Sequence, residues 1–438
     1  MFETLKNVFR VKEMRRKLLY LIWMIFIIRI GCQIPVPGVD SDFFKQWFSS
    51  NAGDAFNFFD AFTGGSFERM SIFALNITPY ITSSIIIQLL TIAIPALEEM
   101  QRDGEEGRKK MTAITRYVTV GLALFESIAM AIGFGRQGMI PNLDFFKGVV
   151  VVACLTAGSA MLMWLGERIT EKGVGNGISI VLLINIVSRI PDDFVTLFDQ
   201  FMKGQTILNA VVAAVVIIAV VLVTVVFVIF LQDGERRIPV QYAKKMQGRK
   251  MVGGQSTNIP LKVNTAGVIP VIFASSLMSF PNVIASLLGK TGGTGIGSKI
   301  MTGLSQSSWC DPSRPIYSLG LVLYIVLVVF FAYFYTSITF NPIEISNNMK
   351  RQGGFIPGIR PGKPTTEYLS RILNYIVFIG AVGLIIVCVI PIFFNGMFGA
   401  NVSFGGTSII IIVGVVLETL KQIESQMLVR YYKGFLND

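Results

Sequence analysis

Histidine is missing from all 438 residues. With it go imidazole metal ligands and every nucleophilic triad that needs a histidine base. Charge is scarce as well. Asp, Glu, Lys and Arg make up 15% of the chain, where a soluble domain carries roughly a quarter. The four cysteines, Cys32, Cys154, Cys310 and Cys388, are too scattered for a disulfide framework or a metal knuckle. No cofactor, metal or catalytic constellation is therefore expected, and no enzyme. What is abundant is apolar: hydrophobic residues reach 52%, the balance of a membrane protein.

A transmembrane helix needs about 20 mostly apolar residues. About ten such stretches can be read, at 17–36, 75–96, 112–134, 147–167, 177–195, 208–232, 262–288, 315–340, 368–391 and 405–428. The stretch Leu208–Leu231 carries no charge, the fifth is short, and Pro79 breaks the second. An even number puts both termini on one side. That side collects about 28 of the 38 Lys and Arg, against about 9 opposite, which marks it as cytoplasmic. Most of the +11 net charge is this asymmetry, and the basic loops offer a surface to an acidic or RNA-rich partner. Arg15, Arg16 and Lys17 precede a full-length apolar run with no small-residue cleavage site, so the N-terminus is not expected to be a cleaved signal. Phe2, Leu5, Phe9 and Met14 recur at helical intervals and predict an interfacial helix over 1–16.

Five spans per half is an odd number, so homologous halves must lie inverted in the membrane, with the functional site at their interface. A trace of the repeat is present. Pro79-Tyr-Ile81 in the second span answers Pro270-Val-Ile272 in the seventh. The expected organisation is a first half over 17–195, an external connection at 196–207, a second half over 208–428 and a tail at 429–438. Two cytoplasmic loops, 232–261 and 341–366, are longer than most connections. The first holds Arg236, Arg237, Lys244, Lys245, Arg249 and Lys250, and its alternating Arg237–Ala243 stretch suggests a hairpin. Residues 54–76 are too polar to span and too apolar for an exposed loop. They predict a re-entrant piece that must be buried in protein or line a cavity, with Gly64 and Gly65 as its joint.

Two glycine patterns invite a nucleotide and fail. Gly173-Val-Gly175-Asn-Gly177 follows no strand, and Pro361-Gly-Lys363 has Pro364 where a phosphate loop needs Ser or Thr. Charged residues singled out inside spans are Arg29, Glu126 and Glu418, with Arg116 near an end. A proton-coupled secondary transporter with inverted repeats would use such acids. Pairing or snorkelling is the plainer account, and the scarcity of these residues, with two large basic loops, argues against the transporter. A non-transporting insertase or scaffold would not need the re-entrant piece.

Longer motifs carry a resemblance. Ser71-Ile-Phe-Ala-Leu-Asn-Ile-Thr-Pro-Tyr-Ile81 through Gln88 is similar to the second-span signature of the SecY family. Trp164–Ile180 resembles its fourth-to-fifth-span signature, Pro260–Ser276 its seventh span, Gly354–Gly362 its last long cytoplasmic loop and Phe404–Ser408 the start of its tenth span. The resemblance implies an all-α membrane protein: ten transmembrane helices in two inverted five-helix halves around a central pore, with a re-entrant plug helix. It implies a central channel subunit of the Sec protein translocase, which passes unfolded secretory polypeptides across the plasma membrane and releases transmembrane segments sideways into lipid. Implied partners are SecE, SecG, the SecA motor ATPase, the ribosome, signal peptides and membrane lipid. The pore ring carries over onto Ile77, Ile81, Leu182, Ile272 and Ile411. Leu182 replaces a more usual isoleucine. The plug carries over onto residues 56–74, including Phe62, Gly64, Gly65, Phe67, Arg69 and Met70. Gln88 and Asn264 match polar residues of the lateral gate between the second and seventh spans. Arg360, with the basic residues of the first long loop, matches the docking surface for motor or ribosome. An aliphatic ring is physically suited to this role, because it closes a pore by dewetting and prefers no substrate sequence.

Overall fold

The computed structural model describes residues 11–41, 43–44, 60, 63–136, 138, 140, 144–202, 207–242, 245–247, 250–252, 256–287, 296–310, 315–398 and 406–434. Each of the ten apolar stretches falls on a helix. In the first half these are α1 (Lys12–Gly31), α2 (Thr78–Ala93), the short α3 (Pro95–Arg102), α4 (Gly104–Arg136), α5 (Phe145–Lys172) and α6 (Gly177–Phe201). The second half holds α7 (Ile207–Asp233), α8 (Ile269–Leu287), the short α9 (Ile296–Leu304), α10 (Leu319–Thr339), α11 (Pro342–Gln352), α12 (Lys363–Phe398) and α13 (Gly406–Gly434). Among the described residues, five helices are long and apolar enough by themselves to cross a membrane, or six if the bent α2–α3 pair counts as one. The protein is thus a multi-pass, mainly helical membrane protein.

Boundaries moved where local chemistry decided them. Pro79 does not break the second span. It sits in the first turn of α2, where its missing N–H costs nothing. Pro95 holds Ile94 in extended backbone, and the chain bends there by 105°. The first helix begins at Lys12, so residues 12–16 belong to the span helix, while residues 1–10 of the expected interfacial helix lie outside the described residues. The external connection expected at 196–207 is helical as far as Phe201, because α6 runs through Pro191.

The principal packing pairs repeat between the halves. In the first half α2 packs on α4, α4 on α5, α5 on α6, and α1 on both α5 and α6. In the second half α8 packs on α10, α10 on α12, α12 on α13, and α7 on both α12 and α13. Shifting by five spans converts one set into the other, as two copies of one packing scheme require. Between halves, α6 meets α13 and α4 meets α8.

The two long basic loops are structured. Strand β1 (Glu235–Tyr242) pairs antiparallel with β4 (Ser256–Lys262), with Ile238 opposite Ile259, which forms the expected hairpin. Between them β2 (Lys245–Gln247) pairs with β3 (Lys250–Val252), and β5 (Gly354–Phe355) joins the free edge of β1. The second loop contains a helix instead of irregular chain. Asn341 caps α11 by accepting from the Ile343 and Glu344 amides, and Gly353 closes it in the left-handed region. Ile238, Val240 and Leu261 bury their side chains with Met349 of α11 and with Leu369 and Ile376 of α12.

The glycines rejected as a nucleotide loop serve helix packing. Asn176 caps α6, and a Cβ at Gly177 would collide with the Gly166 carbonyl of α5. Gly158 is equally tight, since a Cβ there would run into the carbonyl of Ile72. Gly158→Val is therefore expected to lower stability by about 1–3 kcal/mol through overpacking. The check is the thermal midpoint of the purified protein in detergent; an unchanged midpoint would show that α5 and residue 72 have slack.

Candidate functional site

Ile77 and Ile411 are fully buried in one apolar cluster, against which Ile81, Leu182 and Ile272 also pack. The five come from four separate helices. Ile77 is the residue before α2, Ile81 lies one turn into it, and Leu182 is near the start of α6. Ile272 and Ile411 stand in the first turns of α8 and α13, in the other half. Phe73, Ile180, Ile186 and Val415 complete the surroundings. The cluster sits where the two halves meet, and its lining is aliphatic.

Immediately before Ile77, residues 64–76 run as turns, while Asp60 and Thr63 ahead of them are helical. Gly64 and Gly65 take φ of +67° and +81°, and the non-glycine residues Met70 and Asn76 also enter the left-handed region at +47° and +52°. Such backbone needs partners from the protein, and it has them. Met70 accepts from the Val36 amide, and the Ile72 amide donates to Ile34. The Thr63 hydroxyl donates to Asp60 and accepts from the Phe67 amide. Phe67 and Met70 are buried beside Phe44 and Phe134, whose rings meet edge-on at 5.0 Å. Arg69 donates to Gln33. Phe62 lies outside the described residues.

The signal for Asp60, Asn76, Asn185 and Arg189 was passed over in the sequence. Asp60 is fully buried and paired with Arg189 of α6, a residue not singled out among the charged positions within spans. One turn earlier, Asn185 donates to the Asn76 side chain at 3.1 Å, and Ser159 of α5 donates to the Asn76 carbonyl. An Asn and an Arg four residues apart, the Arg followed by Asp192 and Asp193, were the local sign. The other charged positions are less engaged. Neither Glu126 nor Glu418 forms an ion pair with a described residue, and Glu418 is exposed. Arg116 pairs with Glu167 at 2.8 Å.

Gln88 and Asn264 are not brought together. Gln88 is exposed on α2 and its amide reaches Ser84, one turn back in the same helix, at 3.5 Å. Asn264 is buried, and its amide nitrogen has no hydrogen-bond partner among the described residues. It lies ahead of α8, where the chain after β4 passes over Gly380 of α12.

The basic loop residues divide similarly. Arg236 and Arg237 are exposed on β1, and Arg237 pairs with Glu235 of the same strand. Lys245 and Lys250 fall in β2 and β3, while Lys244 and Arg249 lie outside the described residues. Arg360 is exposed on a turn held from both sides. Its carbonyl accepts from the Thr365 hydroxyl at 2.9 Å, and Ser346 of α11 donates to Gly362 at 3.0 Å. Gly358 and Gly362, at φ of +84° and +103°, supply conformations that side chains resist.

A family model for SecY matches residues 71–420. The chain is 44% identical over 451 residues, covering 100% of both sequences, to the protein translocase subunit SecY of Streptomyces galbus. Among solved structures it is similar to a SecY whose plug domain is described as stabilising the closed state and maintaining a membrane seal, at TM-score 0.61 and 19% identity, over 94% of this chain and 92% of that one. It is also similar to Sec61 in a canine ribosome–channel complex from the endoplasmic reticulum, at TM-score 0.62 and 17% identity, over 94% and 92%.

The two asparagines make a contrast. Asn264→Leu removes an unpaired buried donor and is expected to change stability by less than about 1 kcal/mol, whereas Asn185→Leu takes away the donor to Asn76 and costs about 1–3 kcal/mol. Thermal unfolding of the two variants side by side decides it; equal losses would mean that Asn264 has a partner in solution.

Proposed function

The chain belongs to the SecY family and is a protein-conducting channel subunit of the Sec translocase; on that premise we propose that Ile77, Ile81, Leu182, Ile272 and Ile411 form the seal of its pore and that residues 56–74 plug it. One observation carries the reading: five aliphatic side chains from four helices, drawn from both halves, converge in one cluster. A small gap lined by such side chains expels water, and ions with it, without any fixed charge. The seal is made between bodies that can separate, so it opens for a polypeptide of any sequence. Residues 64–76 support the plug role through irregular backbone held by loop and helix contacts next to the ring.

The lateral gate is proposed between α2 and α8, the helices that carry Ile81 and Ile272. Gln88 lies on the exposed face of α2, free to meet an entering segment, while Asn264 precedes α8 as a positioning residue. The exposed arginines Arg236, Arg237 and Arg360, with Lys244, Lys245, Arg249 and Lys250, are proposed to dock the ribosome or the SecA motor, with SecE and SecG as further partners. The ribosome-bound state of the Sec61 relative supports the first of these. The positive-inside count supports a plasma-membrane orientation with both termini cytoplasmic. The covalent chemistry of ATP hydrolysis belongs to the motor.

Replacing Ile81 and Ile272 together by Asn wets the constriction. Resting ion conductance and export of substrates with defective signal sequences are both expected to rise, by about tenfold for each 1.4 kcal/mol lost by the closed state. Planar-bilayer recordings and an export assay read this; unchanged values in both would remove these residues from the seal. Arg360→Glu is expected to abolish motor-driven translocation into vesicles while leaving the protein inserted, and Arg360→Lys to retain part of it, because lysine lacks the bidentate fork. Wild-type rates from the Glu variant, at saturating motor and ATP, would return Arg360 to a purely topological charge.

A further inference from the structure

Asp60 has no exposed surface, yet three neighbours converge on its carboxylate. The Glu68 amide donates to it at 2.9 Å, the Thr63 hydroxyl donates at 3.2 Å, and the Arg189 guanidinium pairs with it. Arg189 keeps only 20% of its side chain exposed. The same face of α6 touches the segment twice more. Asn185 donates to Asn76, and a Cβ on Gly64 would come within 2.8 Å of the Ser188 hydroxyl and 2.7 Å of the Asn185 carbonyl. Residues 60–76 are thus fastened to α6 at two ends by different chemistry. The Asn76 end is held by neutral hydrogen bonds and runs straight into α2. The Asp60 end is held by charge.

A buried ion pair resists separation far more than a neutral hydrogen bond does, because a partner that loses its counter-charge is costly to keep dry; Asp192 and Asp193 of α6 also face Arg189, so the partner left uncompensated is Asp60. We propose that Asp60 and Arg189 are positioning residues of the closed channel: a charge latch that fixes the Asp60 end of the segment to α6 and lets go only when water enters beside it, while Asn76 stays anchored as the pivot. This rests on the plug reading above and goes beyond it. It assigns the water-sensitive part of the plug's hold to one residue pair and ties plug release to wetting of the pore. A dry seal and a seated plug then support one another, since opening the ring admits the water that frees the latch.

The test uses the complete translocase in planar bilayers without substrate. Asp60→Asn and Arg189→Gln should each raise the resting open probability by roughly tenfold or more. The charge-swapped double variant, Asp60→Arg with Arg189→Asp, should recover most of the loss, which a merely structural role would not allow. Arg189→Lys keeps the charge without the planar fork and should fall between wild type and Arg189→Gln, even where Asp60→Asn fails to assemble. Exchanging the half-buried Arg168, which pairs with Glu171 of its own helix, for Gln is the control and should leave the resting state unchanged. Wild-type resting conductance in both single variants, or a swap no better than either, would overturn the latch. Deletion of residues 60–69 separates the two readings. If the deletion raises conductance and the pair variants do not, only the latch falls; if the deletion has no effect, the plug reading falls with it.

Discussion

Dewetting between aliphatic side chains is the interaction on which the rest of this structure depends. A membrane channel for polypeptides has to exclude ions at rest and accept chains of any composition when active. Charges or hydrogen-bonding groups at the constriction would hold water and prefer particular substrates. As the seal proposed above, Ile77, Ile81, Leu182, Ile272 and Ile411 would avoid both problems while they stay packed in their one cluster. The fold supplies that packing by placing them on two halves that share one packing scheme and meet along α6–α13 and α4–α8.

The irregular backbone beside the ring follows from the same requirement. A continuous helix would be its own hydrogen-bonded unit and would tend to stay wherever it packed. Residues 63–76 instead borrow partners from the chain at 34–36, from α5 and from α6. The left-handed conformations at Met70 and Asn76 cost free energy that those contacts offset. A segment held in this way is stable in place and ready to leave, whereas the aromatic packing of Phe44, Phe67 and Phe134 gives it one defined seat.

Much of this was legible in the sequence, for identifiable reasons. Ten apolar stretches translate into helices because lipid leaves the backbone no alternative, and the Pro-x-Ile pair marked Ile81 and Ile272 from both halves. The hairpin showed through the alternation in Arg237–Ala243. The helix α11 did not, because its signal is a cap, a proline and a closing glycine instead of an apolar stripe. Gln88 and Asn264 were matched by position in a motif, and a motif does not say what each side chain bonds to: Gln88 reaches Ser84 of its own helix. Asp60 and Arg189 stayed hidden because their meaning is a contact between residues far apart in the chain. Each alone reads as one more polar residue near a membrane surface.

The turn that carries Arg360 has a mechanical side. It is clamped by Ser346 and Thr365, both almost wholly buried, and α12 begins just after it at Lys363. That helix is 36 residues long, a rod of about 54 Å. Its far portion, at Leu384, Val387 and Ile392, is built into the core of the second half with Ile410 and Val413 of α13, directly beside Ile411. A rod fixed at one end to a rigid handle and at the other to the gate's own framework is a lever. On the docking proposed above, a push at the turn would travel along this helix to the half that bears Ile272 and Ile411, with Pro391 as the one place along it where the hydrogen-bond ladder is interrupted.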